Sequence, residues 1–218
     1  YIQSKNKEKI NLIQNKSIEL CLFLSLPASI ALFLGSEEII SALFGYGSFN
    51  EQSILNSAKA LFYFAFGLPA FALIKIFSSF FFANNDTKTP FYISLISVVL
   101  NVCISVYYFN EIGFIIIPIA TSISSWFNTI VLFLYLLNKN LFNFNQNFLI
   151  QFTKTIFASL VMGIFFHFLI NEFSYYLEND YSLKAIFILI FVFLSILLYL
   201  LVSFLIKAFK LSDIRTKY

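Results

Sequence analysis

Apolar residues run almost unbroken through six stretches of this chain, at about 17–35, 52–83, 90–109, 113–137, 148–170 and 182–206, and polar residues gather in the short segments between them. A helix needs roughly 20 apolar residues to cross a hydrocarbon core of about 30 Å. Barrel strands would alternate over segments of about ten residues instead. The pattern therefore predicts an all-α, polytopic membrane protein with six transmembrane helices. The second run, Gln52 to Ala83, would extend about 48 Å at helical rise, longer than the core is thick. It must tilt or kink, and Gly67-Leu68-Pro69 marks the kink, which makes Gly67 and Pro69 the candidate hinge. Pro27 interrupts the first run in the same way. After Gly35, Ser36 is placed to cap a short interfacial helix near 37–44, with Glu37 and Glu38 at its positive end and Ile39, Ile40, Leu43 and Phe44 as its apolar face. Thr89 is placed to cap the third span, with Pro90 at its first helical position.

Polar residues inside the spans are not scattered. Ser94, Ser97, Asn101, Ser105 and Tyr108 fall within about 80° of one another on a helical wheel. The fourth span repeats the stripe with Thr121, Ser125 and Asn128, flanked by Pro118, Ser122 and Ser124. Two neighbouring stripes turn from lipid either to glue helices together or to wall a hydrated cavity. Thr155, Ser159 and Gly163 make a small-residue seam on the fifth span. The sixth span is apolar nearly all round, with Ser195, Tyr199 and Ser203 as its polar points.

Charge gives this pattern a direction. The chain is 60% hydrophobic and 11% charged, against about 25% charged in soluble domains. Lys5, Lys7, Lys9 and Lys16 precede the first span, and Lys88, Lys139 and the tail Lys207, Lys210, Arg215 and Lys217 fall on the same side if the spans alternate. The opposite connectors carry Glu37, Glu38, Glu51, Glu111, Glu172, Glu178 and Asp180. Basic residues stay on the cytoplasmic side, so both termini are expected in the cytoplasm. The net +3 reads as topology, and no basic patch with interleaved aromatics suggests nucleic acid. The expected divisions are a connector 1–16, a four-helix part 17–137, a loop 138–147, a helix pair 148–206 and a tail 207–218.

Catalysis is not indicated. A reaction at depth needs an acid/base pair or a histidine cluster, and the chain has one histidine, His167, near a span end. Cys21 and Cys103 lie far apart inside apolar runs and read as buried thiols, so no metal or cofactor is expected. Lys59 and Lys75 sit inside the second span. Intramembrane charge is costly, so each is a candidate to meet an anionic headgroup, against the alternative that its stem snorkels. Lys154 and Lys184 read as anchors near span ends, and Glu19 as a partner of Lys16.

Leu43 to Pro90 resembles the MurJ/MviN family of lipid II flippases within the MOP superfamily. The resemblance is carried by LFGYGSF (43–49), AKALFYFAFGLPAFALIKIFSSFFFA (58–83) and NDTKTP (85–90). ISVVLNV (96–102), the G-x-x-x-x-P-I-A-T-S of 113–122 and Asn128 extend it. It implies a transporter, not an enzyme, that moves lipid II, the undecaprenyl-pyrophosphate-linked disaccharide-pentapeptide, from the inner to the outer leaflet by alternating access in peptidoglycan biosynthesis. It also implies that this chain corresponds to about the last six of fourteen helices, so that a preceding part is expected as partner beside membrane lipid, and the family's cavity arginines fall outside these residues. Only Lys59 and Lys75 match basic positions of the family. With Asn101, Ser105, Thr121, Ser125 and Asn128 they form the expected substrate site. The rival readings are an O-antigen or polysaccharide flippase, a drug/cation antiporter, or a non-transporting scaffold subunit.

Overall fold

The computed structural model describes residues 7–177 and 183–208. Lys5, Glu178, Asp180 and the tail residues Lys210, Arg215 and Lys217 lie outside the described residues. Among the described residues seven α-helices follow in order: α1 (Lys7–Leu34), α2 (Ser36–Phe44), α3 (Glu51–Ala83), α4 (Lys88–Ile112), α5 (Ile116–Asn138), α6 (Gln146–Glu172) and α7 (Lys184–Leu205), with 3-10 turns at Gly113–Ile115 and Ser174–Leu177. No strand occurs among the described residues.

Among the described residues, five continuous stretches are long and apolar enough to cross a membrane, one of them Lys88–Asn138 with 51 residues. That stretch is no single rod. Asn101 Nδ2 reaches Thr121 Oγ1 at 3.0 Å, and Asn128 Nδ2 reaches Ser94 Oγ at 3.4 Å. Rising numbers on one helix pair with falling numbers on the other, so α4 and α5 form an antiparallel hairpin. Gly113 makes the turn with φ of 74°, a left-handed backbone that favours glycine.

The chain divides into two compact units, each built from discontinuous segments. Residues 1–25 and 67–153 form the first. Here Phe77 stacks on Phe133 and Phe80 on Phe142, with ring centroids 5.7 and 6.4 Å apart. α1 starts ten residues before its apolar run, and two of its polar side chains hold the connector that follows α5. Gln14 Nε2 donates to the Leu141 carbonyl, and Asn15 Nδ2 to the Asn143 carbonyl, at 3.0 and 2.8 Å. Asn15 Oδ1 accepts from the Asn145 N–H at 3.1 Å. One amide side chain thus pairs both ways with backbone, as a strand neighbour would, and fastens the loop that the sequence marks as a boundary.

Residues 26–66 and 154–218 form the second unit. Its core joins Ala42, Phe166, Leu169, Ile170, Leu177, Ile188 and Phe191. A Cβ on Gly163 would lie 2.5 Å from Ile30 Cγ2, so the small-residue seam of α6 does receive a neighbouring helix. The weak polar points of α7 also turn inward: Ser195, Tyr199 and Ser203 are all buried.

Three local expectations need correction. Ser36 is the first residue of α2 rather than its cap; Gly35 takes the cap position, with no side-chain bond. Thr89 does not cap α4, which begins at Lys88. The Asp86 carboxylate does that work, accepting from the Thr89 N–H at 3.0 Å and from its hydroxyl at 2.7 Å. Cys103 is exposed on α4 and Cys21 half-buried, so neither is the buried thiol expected from its apolar setting.

Candidate polar cleft and its surroundings

The α4–α5 hairpin and the second half of α3 enclose a cleft of about 290 Å³. Ser94, Ser97, Asn101, Thr121, Ser124, Ser125 and Asn128 line it, with Phe71 and Ile74 as its apolar wall. The Ser94–Asn101 part of the α4 stripe and the α5 stripe therefore turn to one place, while Tyr108, expected on the same stripe, is exposed. Close approach of α3 to α5 narrows the cleft's edge. A Cβ at Gly67 would lie 2.8 Å from Ser122 Oγ and 3.2 Å from Ser122 Cα. Just beyond, the Thr129 hydroxyl contacts the Ala70 carbonyl at 3.1 Å.

Of the site residues expected from sequence, Asn101, Thr121, Ser125 and Asn128 converge on this cleft. Ser105 lies one turn beyond Asn101; its Oγ is buried and has no hydrogen-bond partner. Lys75 is exposed, next to Ile74 but not among the lining residues. Lys59 is exposed on the half of α3 that belongs to the second unit. No group of three or more His, Cys, Asp or Glu that could hold a metal occurs among the described residues.

Pro69 has a structural consequence that the sequence only half reveals. A proline lacks the N–H that would bond the carbonyl four residues back, here that of Ala65. The Ser29 hydroxyl supplies the missing donor at 2.6 Å. The kink residue is therefore matched by a serine on α1.

Sequence reading placed Lys184 as an interfacial anchor, and the structure corrects this. Its side chain is fully buried. Nζ donates to the Gly45 carbonyl at 2.9 Å, lies 3.3 Å from Ser41 Oγ, and sits 4.6 Å from the Tyr46 ring centre. Gly45 is the C-cap of α2, and no basic residue occupies that helix's last turn. A helix C-terminus carries negative partial charge and unsatisfied carbonyls, so α7 supplies the cation that α2 lacks.

Two acidic groups outside the spans are displaced from their ordinary range. The Lys139 ammonium, 2.7 Å away, and the Thr89 N–H and hydroxyl hold the Asp86 carboxyl down at about 2. Burial raises Glu38, with the Glu37 charge adding to it, against lowering by a backbone hydrogen bond and His167. Lys16 pairs with Glu19 at 2.9 Å, as the sequence suggests.

Several long apolar helices, two of which turn neutral polar side chains toward a shared cleft, define a multi-pass helical membrane protein. A family model described as "Lipid II flippase MurJ" matches residues 1–176, and the chain belongs to that family. A relative from Rickettsia prowazekii (strain Madrid E), described as a probable lipid II flippase MurJ, is 33% identical over 171 residues, covering 78% of this chain and 34% of its own length. One from Rhizobium tropici with the same description is 32% identical over 211 residues, covering 96% and 39%. A solved structure described as lipid II flippase MurJ in an inward closed conformation has the same fold, with a TM-score of 0.74 at 24% identity, covering 92% of this chain and 40% of that one. The chain thus spans between a third and two-fifths of the length of these relatives.

Proposed function

We propose that this chain forms part of a lipid II flippase, which carries the undecaprenyl-pyrophosphate-linked disaccharide-pentapeptide from the inner to the outer leaflet by alternating access. The observation that carries this reading is the cleft: seven neutral polar side chains from two membrane helices meet in one concavity in a member of this family. The physical problem for such a protein is the head of its substrate. A charge at the bilayer centre costs several kcal/mol at least, so the head needs a hydrated, hydrogen-bonding path while the polyprenyl tail stays in lipid. The stripes of α4 and α5 wall one side of that path. Lys59 and Lys75 lie where an ammonium can meet anionic headgroup oxygens, and Gly67 with Pro69 is the point at which α3 bends as the transporter rocks. α6 and α7, packed with α2 in the second unit, border the tail.

Charge sorting supports the sidedness: Lys9, Lys16, Lys88 and Lys139 on one side, Glu37, Glu38, Glu51, Glu111 and Glu172 on the other. In this reading the protein sits in the inner membrane with the basic connectors cytoplasmic. It acts as a transporter and not an enzyme. The test is depletion of the protein in its host, read as lipid II accumulating on the inner leaflet. Depletion without accumulation refutes the substrate and favours a polysaccharide exporter, an antiporter or a scaffold. Cysteines at Ser97, Asn101, Ser125 and Asn128 should react with a membrane-impermeant thiol reagent; complete protection refutes the hydrated path.

A further inference from the structure

The cleft has a hydrogen-bonding polarity, and it follows from where each hydroxyl sends its proton. Ser97 donates to the Ile93 carbonyl at 2.8 Å and Thr121 to Ile117 at 2.7 Å. Ser124 and Ser125 both donate to the Thr121 carbonyl, at 3.0 and 2.6 Å. Each hydroxyl has a single hydrogen, so these four offer the cleft lone pairs only. Asn101 spends its N–H groups on Thr121 Oγ1 at 3.0 Å and Ser124 Oγ at 3.4 Å, and its Oδ1 carries no hydrogen bond. Asn128 is only 6% exposed. With its amide directed at Ser94 Oγ, its buried Oδ1 is left without a partner.

The unspent groups are therefore two amide oxygens and a set of hydroxyl lone pairs, against the Ser94 hydroxyl hydrogen and one Asn128 N–H. A buried acceptor without a partner is expensive, so the matching ligand brings donors. No lining residue is ionisable. A phosphate would meet acceptors with no cation to balance it, and an ammonium would be desolvated with no carboxylate to balance it. The ligand that fits is neutral and rich in O–H and N–H. The open cleft's volume, about 290 Å³, lies at the lower edge of the roughly 300–1,000 Å³ of small-molecule sites. Phe71 lines the cleft together with these polar groups, which suits a ring whose C–H face is apolar while its rim carries hydroxyls.

We propose that this cleft holds one acetamido-sugar ring of the transported head, through its hydroxyl and amide donors, and that the pyrophosphate is held elsewhere. This rests on the flippase reading. The chain carries its own reporter, since its single tryptophan, Trp126, adjoins Ser125. The full chain in lipid nanodiscs is titrated with N,N′-diacetylchitobiose and, separately, with inorganic pyrophosphate, while lipid II binding to the same discs is followed by native mass spectrometry. Chitobiose should change Trp126 emission saturably and pyrophosphate should not. Asn128→Leu and Phe71→Leu should each weaken the chitobiose response at least tenfold, and two separate positions guard against one variant failing to fold. A saturable pyrophosphate response that displaces chitobiose overturns the proposal, as does wild-type chitobiose binding in both variants. Lipid II binding without a chitobiose response sinks this assignment alone; binding of neither sinks the flippase reading with it.

Discussion

Replacing Gly67 with alanine separates two explanations of the same residue. As a hinge, Gly67 is needed for backbone freedom; as a packing residue, it is needed because α5 passes too close for a side chain. The structure supplies numbers for the second. The new methyl group would lie 2.8 Å from Ser122 Oγ, 3.0 Å from Phe71 Cε2 and 3.2 Å from Ser122 Cα. The Ser122 hydroxyl and the Phe71 ring can rotate; the Ser122 backbone must shift by a few tenths of an ångström. Overpacking of this kind costs about 1–3 kcal/mol, while alanine recovers about 0.8–1.0 kcal/mol of helix propensity. The net expectation is a loss of roughly 0–2 kcal/mol, a range too wide to decide anything by itself. The double-mutant cycle with Ser122→Gly decides it. Ser122→Gly alone costs roughly 0.5 kcal/mol of propensity, but it removes the nearest atom, so the double variant should recover at least half of the overpacking loss. Residues in direct contact show couplings of about 0.5–3 kcal/mol, and a favourable coupling of about 1 kcal/mol is expected here. Reversible unfolding of the four proteins in mixed micelles measures it. Strict additivity, with Gly67→Ala defective in transport yet unchanged in stability, would refute the packing argument and leave the hinge.

Lys184→Met should strip the α2 C-terminus of its ammonium, stranding the Gly45 carbonyl at a cost of about 1–3 kcal/mol; hydrogen exchange across 36–49 should quicken, and unchanged exchange would return Lys184 to the role of interfacial anchor. The Asp86 carboxyl is held down at about 2 from an ordinary 3.8. Its contribution to stability is therefore complete above about pH 4 and lost as the pH falls toward 2. Because Lys139 is open to solvent, the pair contributes at most about 1 kcal/mol. Asp86→Asn should abolish this acid limb of the unfolding midpoint and little else, and an identical acid limb in the variant rules the pair out as its source.

The helices were legible because membrane-length apolar runs leave few alternatives, and the cleft was legible because helical periodicity put Asn101, Thr121, Ser125 and Asn128 on facing stripes. What escaped was polar pairing over long sequence separations. Asn15 reads as a minor residue of a basic connector until residues 143 and 145 are brought beside it. Lys184 sits at the start of an apolar run, where snorkelling is the ordinary expectation. Only the fold sets it against the end of α2, although a helix ending at Gly45 with no basic residue in its last turn was a signal that a cation was owed from elsewhere. Pro69 announced an orphan carbonyl at Ala65, but nothing in the sequence singled out Ser29 from the other serines as its donor. The caps failed for a similar reason: Ser36 and Thr89 are suitable residue types, but one- to three-residue shifts in helix start decide which side chain reaches a free N–H.

Whether the stripes of α4 and α5 glue two helices or wall a cavity turns on the same accounting of protons. A hydroxyl can glue two helices by donating or by accepting across their interface. Here Ser97, Thr121, Ser124 and Ser125 all donate backward to carbonyls of their own helices, an arrangement that tends to bend the helix, and of these four only Thr121 and Ser124 also accept from across the interface. The α4–α5 hydrogen bonds described above are donated by the two asparagines, and two of those three contacts are as long as 3.4 Å, while Thr129 donates from α5 to the Ala70 carbonyl of α3. Interhelical hydrogen bonds inside membranes average about 0.6 kcal/mol even when well made, which is a small return for seven polar residues on one surface. Ser97 and Ser125, which could be alanine without loss of cross-helix bonding, are better explained by what their lone pairs face. In the function proposed for this chain, that surplus of acceptors is what would let the stripe act as a wall.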